Sequence, residues 1–491
     1  MSKAIYCVVL SLVMLAGQAH AKEQTLLFSD VLAAAFAKSP DLQASNLQVK
    51  IRQSETMQVD GALDMRYGGS MGASNEKAPT TSPFASTETN VSFIAGQVVQ
   101  PFADGSTLTG TLKYNSAELI YPSTINPAFL PSPNPSYQHQ IDLIYRYPLV
   151  AGADNPNYTY QKEAGVAEER AARLQISLLK ENITAKAIGL YAQFVLNDLS
   201  VKLSKDAVFR AKQLLDNQKE REIFGLVEKE ERYQTEALLA ARKLQLAQAV
   251  AAKKSAQTAL NRLMYQDANT SLSVKFSSPE IRLQTLASLL EKAEQTRPIF
   301  KVLDAQYKAA EARLGLAQSA GDYQLDLVGQ IGTRALDGNS GTAFAQGFTL
   351  DDRYIALSVE FSDVFGNSAN KAAVQKVVLA LESIQIERKK VRLDLETEIA
   401  TLLDTLRSAK VTLKASNLQV KAEHKKYRAQ VERYKKGRSP TAVVIQFEGD
   451  LRAAELRYAI QKVNLGVTKY QLALAVGELD ALTAQNQGAT Q

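Results

Sequence analysis

The sequence predicts a mainly α protein that carries a membrane β-barrel, built as two structural repeats of a long coiled-coil helical hairpin plus amphipathic strands. Three observations lead there. One order of elements occurs twice along the chain, two segments of over sixty residues have helical periodicity without a proline, and short stretches between them alternate apolar and polar residues.

The repeat is plainest at its start. Leu32-Ala-Ala-Ala-Phe-Ala-Lys-Ser-Pro40 and Leu290-Glu-Lys-Ala-Glu-Gln-Thr-Arg-Pro298 each read as a short helix, a proline break and a second helix running to a glycine, Gly61 or Gly321. Strand-like residues follow at about 64–149 and again at about 323–361. Next come the long helical segments, Tyr158–Glu222 and Lys371–Lys436, each closed by a glycine-containing turn near 225 or 437. At 1.5 Å per residue each would reach about 90–100 Å, a length for which a globular domain has no use. Return helices are expected at Lys229–Leu263 and Thr441–Val476, packed antiparallel on the long ones. The repeats are thus placed at 22–270 and 271–480, with a polar tail at 481–491.

In the strand-like stretches Ile141, Leu143, Tyr145 and Tyr147 alternate with Gln140, Asp142 and Arg146. Ile355, Leu357, Val359 and Phe361 alternate with Tyr354, Ser358 and Glu360. One lipid face and one water face is what a barrel wall requires, although a strand half-buried on a soluble core alternates in the same way. Turn-rich segments at Asn75–Asn90, Tyr121–Pro135 and Ala335–Thr349 suit loops at one end of such a wall.

Export is written at the N-terminus: Lys3, an apolar run from Ala4 to Ala16, then Ala19-His20-Ala21, a signal peptide over 1–21 cleaved after Ala21. The single cysteine, Cys7, leaves with it, so no disulfide, thiol or zinc chemistry is expected. Beyond residue 21 no run reaches the ~18 consecutive apolar residues of a membrane helix. The 57 basic and 51 acidic residues alternate in sign along the chain, which argues against nucleic acid as a partner. No catalytic constellation, phosphate loop or metal-ligand spacing is present; His139 and His424 read as plain surface residues. No enzyme activity and no cofactor are expected.

Taken together the pattern resembles the TolC-like outer membrane efflux protein family over nearly the whole mature chain. The best-matching stretches are the duplicated turns, Arg221–Ala237 and Tyr434–Leu451. The resemblance implies a homotrimer whose protomers share one β-barrel in outer-membrane lipid, and whose helices form a periplasmic tunnel. It further implies docking to a periplasmic adaptor and an inner-membrane pump of RND or ABC type, as the exit duct of tripartite efflux or type I secretion. At the tunnel tip it singles out Gly225, Glu230, Glu231, Tyr434, Gly437 and Arg438. Charged turns, Glu230 and Glu231 against Lys435, Lys436 and Arg438, are expected to link neighbouring hairpins by ion pairs.

Two departures are visible. The positions of the family's paired tip aspartates are occupied by Val443 and Gln446, so that cation-binding ring is expected to be missing. The first repeat holds four strands, near Asp64–Ser74, Asn90–Pro101, Ser106–Ser116 and Tyr137–Leu149, where the family has two. Either all four lie in the wall, making six strands per protomer, or the extra hairpin folds over the mouth. The competing readings are a periplasmic coiled-coil adaptor or scaffold without a pore, which leaves the strands unexplained, and a general porin, which this chain is too helical to be.

Overall fold

In the computed structural model the described residues are 25–478, apart from 83, 226, 277, 280–283 and 350. The expected signal peptide and the polar tail lie outside them. The chain forms two compact units, each drawing on both halves of the sequence.

The first unit is helical and comprises 25–46, 174–300 and 388–478 among the described residues. Helix α1 (Phe28–Lys38) stops at Ser39, held extended at ψ 117° by the proline after it, and α2 (Pro40–Asp60) starts on that proline. The second repeat makes the same break. There α5 (Leu286–Thr296) stops at Arg297, ψ 128°, and α6 (Pro298–Ser319) begins at Pro298. The long helices α3 (Pro156–Ile223) and α8 (Ser368–Lys435) each count 68 residues; α4 (Lys229–Leu263) and α9 (Thr441–Ala475) each count 35. The long and the return helices thus come in two pairs of equal length.

The core of this unit lies where these helices meet a two-residue parallel pair, β1 (Thr25–Leu26) and β6 (Ser273–Val274). Tyr191 meets Phe28 edge-on and Tyr470 meets it tilted, with ring centroids 5.3 and 4.6 Å from Phe28, and Leu260, Met264 and Val463 close the cluster. The Tyr191 hydroxyl donates to the Lys275 carbonyl at 2.9 Å, so its burial leaves no polar group unsatisfied. A second cluster, Leu289, Leu290, Ile399, Leu403, Leu406 and Leu472, does the same for the other repeat.

The second unit, 47–173 and 301–387, holds one antiparallel sheet of six strands in the order β2-β3-β4-β5-β7-β8. These are β2 (Arg66–Lys77), β3 (Glu88–Pro101), β4 (Thr107–Ile120), β5 (Ser136–Pro148), β7 (Gln324–Asp337) and β8 (Arg353–Ser362). The extra hairpin therefore belongs to the sheet and is not folded over its end. Residues of both repeats meet at the β5–β7 pair, where Leu143 faces Ile331 and Tyr147 faces Leu327.

Two expected loops turn out shorter. β2 and β3 run on to Lys77 and back from Glu88, and β7 continues to Asp337 before a short helix of about two turns, α7 (Ser340–Gln346). The three glycines of 335–349 hid that helix from the sequence reading. It forms because the Asn339 side chain accepts from the amides of Gly341 (2.9 Å) and Thr342 (3.2 Å). Among the described residues, no helix is long and apolar enough to cross a membrane.

Candidate functional site

Two features bear on function, the two faces of the sheet and the turns that join the long helices. Because side chains alternate at period two, the register assigns every strand residue to a face. One face carries Tyr67, Met71, Ile94, Val98, Leu143, Ile331, Leu357 and Phe361, all exposed. The opposite face carries a polar network across β4, β5, β7 and β8. Arg146 donates to Asp326 and to Glu360, both at 2.6 Å, and Asp142 accepts from Gln140 (2.7 Å), Thr111 (3.2 Å) and the Tyr354 hydroxyl. Asp142 and Asp326 are buried yet hydrogen-bonded, so their burial leaves neither carboxylate without partners. Large apolar side chains in the open, opposite a satisfied polar face, invert the arrangement of a soluble sheet packed on a core.

At the other feature, Gly225 and Gly437 adopt φ of 65° and 69°, the left-handed region where only glycine sits without steric cost. They end α3 and α8. The Gly437 amide donates to the Tyr434 carbonyl and that of Arg438 to the Arg433 carbonyl, both 2.9 Å, which is the Schellman pairing; Gly225 donates to Glu222 at 2.9 Å in the same way.

Just inside these turns the two hairpins are tied together. Arg221 of α3 donates from Nη1 to the Tyr434 carbonyl at 3.1 Å and lays its guanidinium 4.8 Å from the Tyr434 ring centroid. The buried Tyr434 hydroxyl donates to Gln218, whose amide nitrogen donates to Glu231 at 2.9 Å, and Thr441 donates to the same carboxylate oxygen at 2.7 Å. Ala211, Leu214, Leu238 and Val444 seal the network on the side away from the turns.

The expected tip residues thus divide. Tyr434 and Glu231 sit inside the network, Gly225 and Gly437 shape the turns, and Glu230 and Arg438 are exposed. Within the single chain, no ion pair joins Glu230 or Glu231 to Lys435, Lys436 or Arg438 among the described residues. Lys435 pairs with Glu432 of its own helix at 3.4 Å, and Glu231 is held by an amide and a hydroxyl instead. Short turns bring helix sides together rather than turn tips, so side chains one turn back make the contact. Nothing in the sequence marks Gln218 and Thr441, since neither residue type signals a role and they lie far apart along the chain.

A charged cluster follows on the same helices. Glu448 of α9, 1% exposed, is gripped by Arg210 of α3 at 3.3 Å and by Arg242 of α4, whose Nε donates at 2.9 Å; Arg210 also reaches Glu455 at 3.2 Å. Burial, then the neighbouring Arg242 guanidinium, pulls Arg452 below the usual arginine range, and burial raises the Tyr427 hydroxyl. His424, expected at the surface, is half-buried with Nε2 3.6 Å from Glu455. His139, also expected at the surface before a strand, lies within β5 and is fully buried. No cluster of metal-ligating side chains is found among the described residues.

The chain is similar to the outer-membrane channel OprN, at 14% identity over 92% of this chain and 90% of that one, TM-score 0.67. It is similar to CusC, whose structures describe transmembrane channel formation, at 12% identity over 92% of each chain, TM-score 0.65. It is also similar to the outer membrane protein VceC of Vibrio cholerae, at 14% identity over 92% of this chain and 96% of that one, TM-score 0.63. No protein-family model and no curated protein matches the sequence. The fold is therefore that of these solved outer-membrane channels, at 12–14% sequence identity.

Proposed function

We propose that this protein is an outer-membrane exit duct of a tripartite efflux or type I secretion system, closed at its helical end until an adaptor and an inner-membrane pump of RND or ABC type dock. The observation that carries the reading is the six-stranded sheet, with an apolar face, a polar face and an unpaired edge at each of β2 and β8 among the described residues. Exposed edges of this length invite pairing with another chain. An even number of antiparallel strands sets β8 of one copy antiparallel to β2 of the next, so head-to-tail copies continue the ladder and close a ring. Three copies would give about eighteen strands, in the range that leaves a water-filled lumen. The polar network of Arg146, Asp142 and Glu360 would then line water, and the apolar face would meet lipid. The adaptor reading gives the sheet no use.

Planar-bilayer recording of the purified protein, with its mass in detergent, tests this. A trimer with small, steady conductance is expected; a water-soluble protein that forms no channel overturns the duct.

In this reading the network of Arg221, Tyr434, Gln218, Glu231 and Thr441 holds the hairpins in the closed arrangement, and opening is a switch to a second packing of the same helices. Tyr434→Phe removes the donor to Gln218 and leaves a buried amide oxygen unpaired, a cost of about 1–3 kcal/mol to that arrangement. Raised conductance with unchanged trimer mass is the expected result. At the turns, Gly225→Val or Gly437→Val forces a β-branched residue to positive φ, about 1–2 kcal/mol or more. Export and adaptor docking are expected to fall while trimers still assemble; normal export from both variants would remove the glycines from the mechanism.

A further inference from the structure

Helix α7 is packed on the apolar face of the sheet. His139 of β5, opposite Tyr114 of β4 and Ala335 of β7, lies beneath it with no exposed surface and no partner for either ring nitrogen. The imidazole is used as a ring: its centroid is 5.1 Å from Phe344 and 5.0 Å from Phe348, and Tyr114 stands 6.2 Å away. Gly347 makes this approach possible, since a Cβ there would fall within the imidazole. Two hydrogen bonds fasten the segment down, Tyr114 hydroxyl to the Ser340 carbonyl at 3.3 Å and Thr333 hydroxyl to the Thr349 carbonyl at 3.1 Å.

The helix sequence, Ser-Gly-Thr-Ala-Phe-Ala-Gln, contains no charge, and Phe344 and Phe348 keep 50% and 56% of their surface exposed. With Tyr114 and Tyr137, whose rings stack at 6.4 Å, they make an aromatic patch on the same face as Leu143, Ile331, Ile355 and Leu357. A buried imidazole without hydrogen bonds is costly, and the fold accepts it to hold two phenylalanines against that face. Aromatic rings at the end of an apolar belt favour the boundary between acyl chains and headgroups. Without a cation, the helix has nothing for an anionic headgroup; its match is the neutral acyl boundary.

We propose that α7 is a lipid-binding foot on the outside of the barrel wall, which sets Phe344 and Phe348 into the membrane at the acyl-headgroup boundary and so fixes the depth of the barrel. The proposal rests on the barrel reading above, and the test separates the two. The chain has no tryptophan, so each replacement is a sole reporter. Phe344→Trp and, independently, Phe348→Trp are compared with Leu357→Trp in the belt and Ala356→Trp on the polar face, all as full-length protein of verified trimer mass. The vesicles are phosphatidylcholine brominated either near the headgroup or near the chain end.

The 344 and 348 reporters are expected to emit blue-shifted and to lose most of their emission to headgroup-proximal bromine, and the 357 reporter to deep bromine. The 356 reporter should respond only to aqueous iodide. Red, unquenched emission at 344 and 348 with quenching at 357 puts the helix in water and overturns the foot while the barrel stands. Blue emission that no bromine quenches means another protein surface covers the patch, and it overturns the foot equally. Loss of lipid quenching at 357 as well sinks the barrel and the foot together.

Discussion

Replacing Glu448 with alanine is expected to destabilise the helical unit by about 3–5 kcal/mol, the cost of leaving buried charge without its counter-ion. The carboxylate is the common acceptor for Arg210 and Arg242, and its side chain is 2% exposed against 14% and 10% for the two guanidiniums. Removing it leaves Arg242 with only the Gln245 side chain, at 3.0 Å, and leaves Arg210 with Glu455. Water cannot readily enter to solvate them, because Glu448 lies on the α9 stripe of Thr441, Val444, Leu451 and Ala454, all buried. The helical melting midpoint in detergent should fall sharply in Glu448→Ala. Lys426→Ala, which breaks a half-exposed pair with Asp450 at 2.9 Å, should change stability by no more than ~1 kcal/mol. An asymmetry sharpens the test: Arg242→Met with Glu448→Leu should cost less than Glu448→Ala alone, because the acid and its closest base leave together. Equal melting of Glu448→Ala and the unaltered protein would mean that the cluster is hydrated in solution.

The same cluster shows what the sequence made legible and what it did not. Helices α3 and α8 were readable to within a few residues because apolar side chains recur every three or four positions for many turns. The strands were readable because Leu143, Tyr145, Ile355 and Leu357 alternate with polar neighbours. Glu448 also left a signal, unused: an acid in the apolar stripe of one helix, with Arg210 beside Ala207, Ala211 and Leu214 in another, marks a buried pair. Gln218 and Thr441 left none, since their role depends on two hairpins meeting side by side, which no local pattern encodes. The burial of His139 escapes the sequence for a related reason. Its neighbours in sequence describe a strand face open on one side, and what covers it is a helix from 200 residues further on. The place of the extra hairpin was likewise undetermined beforehand, because alternation assigns faces within a strand but says nothing about which strand lies beside it.

Face assignment supports the other large effect. Leu357 sits at the middle of β8 on the apolar face, opposite Gly329 of β7, and is 74% exposed; its chain neighbour Ala356 points to the other face, opposite Gln330. If that apolar face meets acyl chains, Leu357→Arg places a guanidinium near the middle of the bilayer, at a cost of about 2–4 kcal/mol per protomer. Ala356→Arg, one residue away, adds a cation to a face that already holds Arg146 beside Glu360 and that the proposed barrel would turn toward water, so it should fold and assemble normally. The expected outcome is a large drop in membrane-inserted, trimeric protein for the first variant and near-normal yield for the second, with altered ion selectivity in planar bilayers. A soluble sheet would give neither contrast, since an exposed leucine on a water-facing surface accepts arginine at almost no cost. The sign of the difference between adjacent positions therefore separates lipid from water as the solvent of this face. It does so without reference to the helices, the tip or any partner.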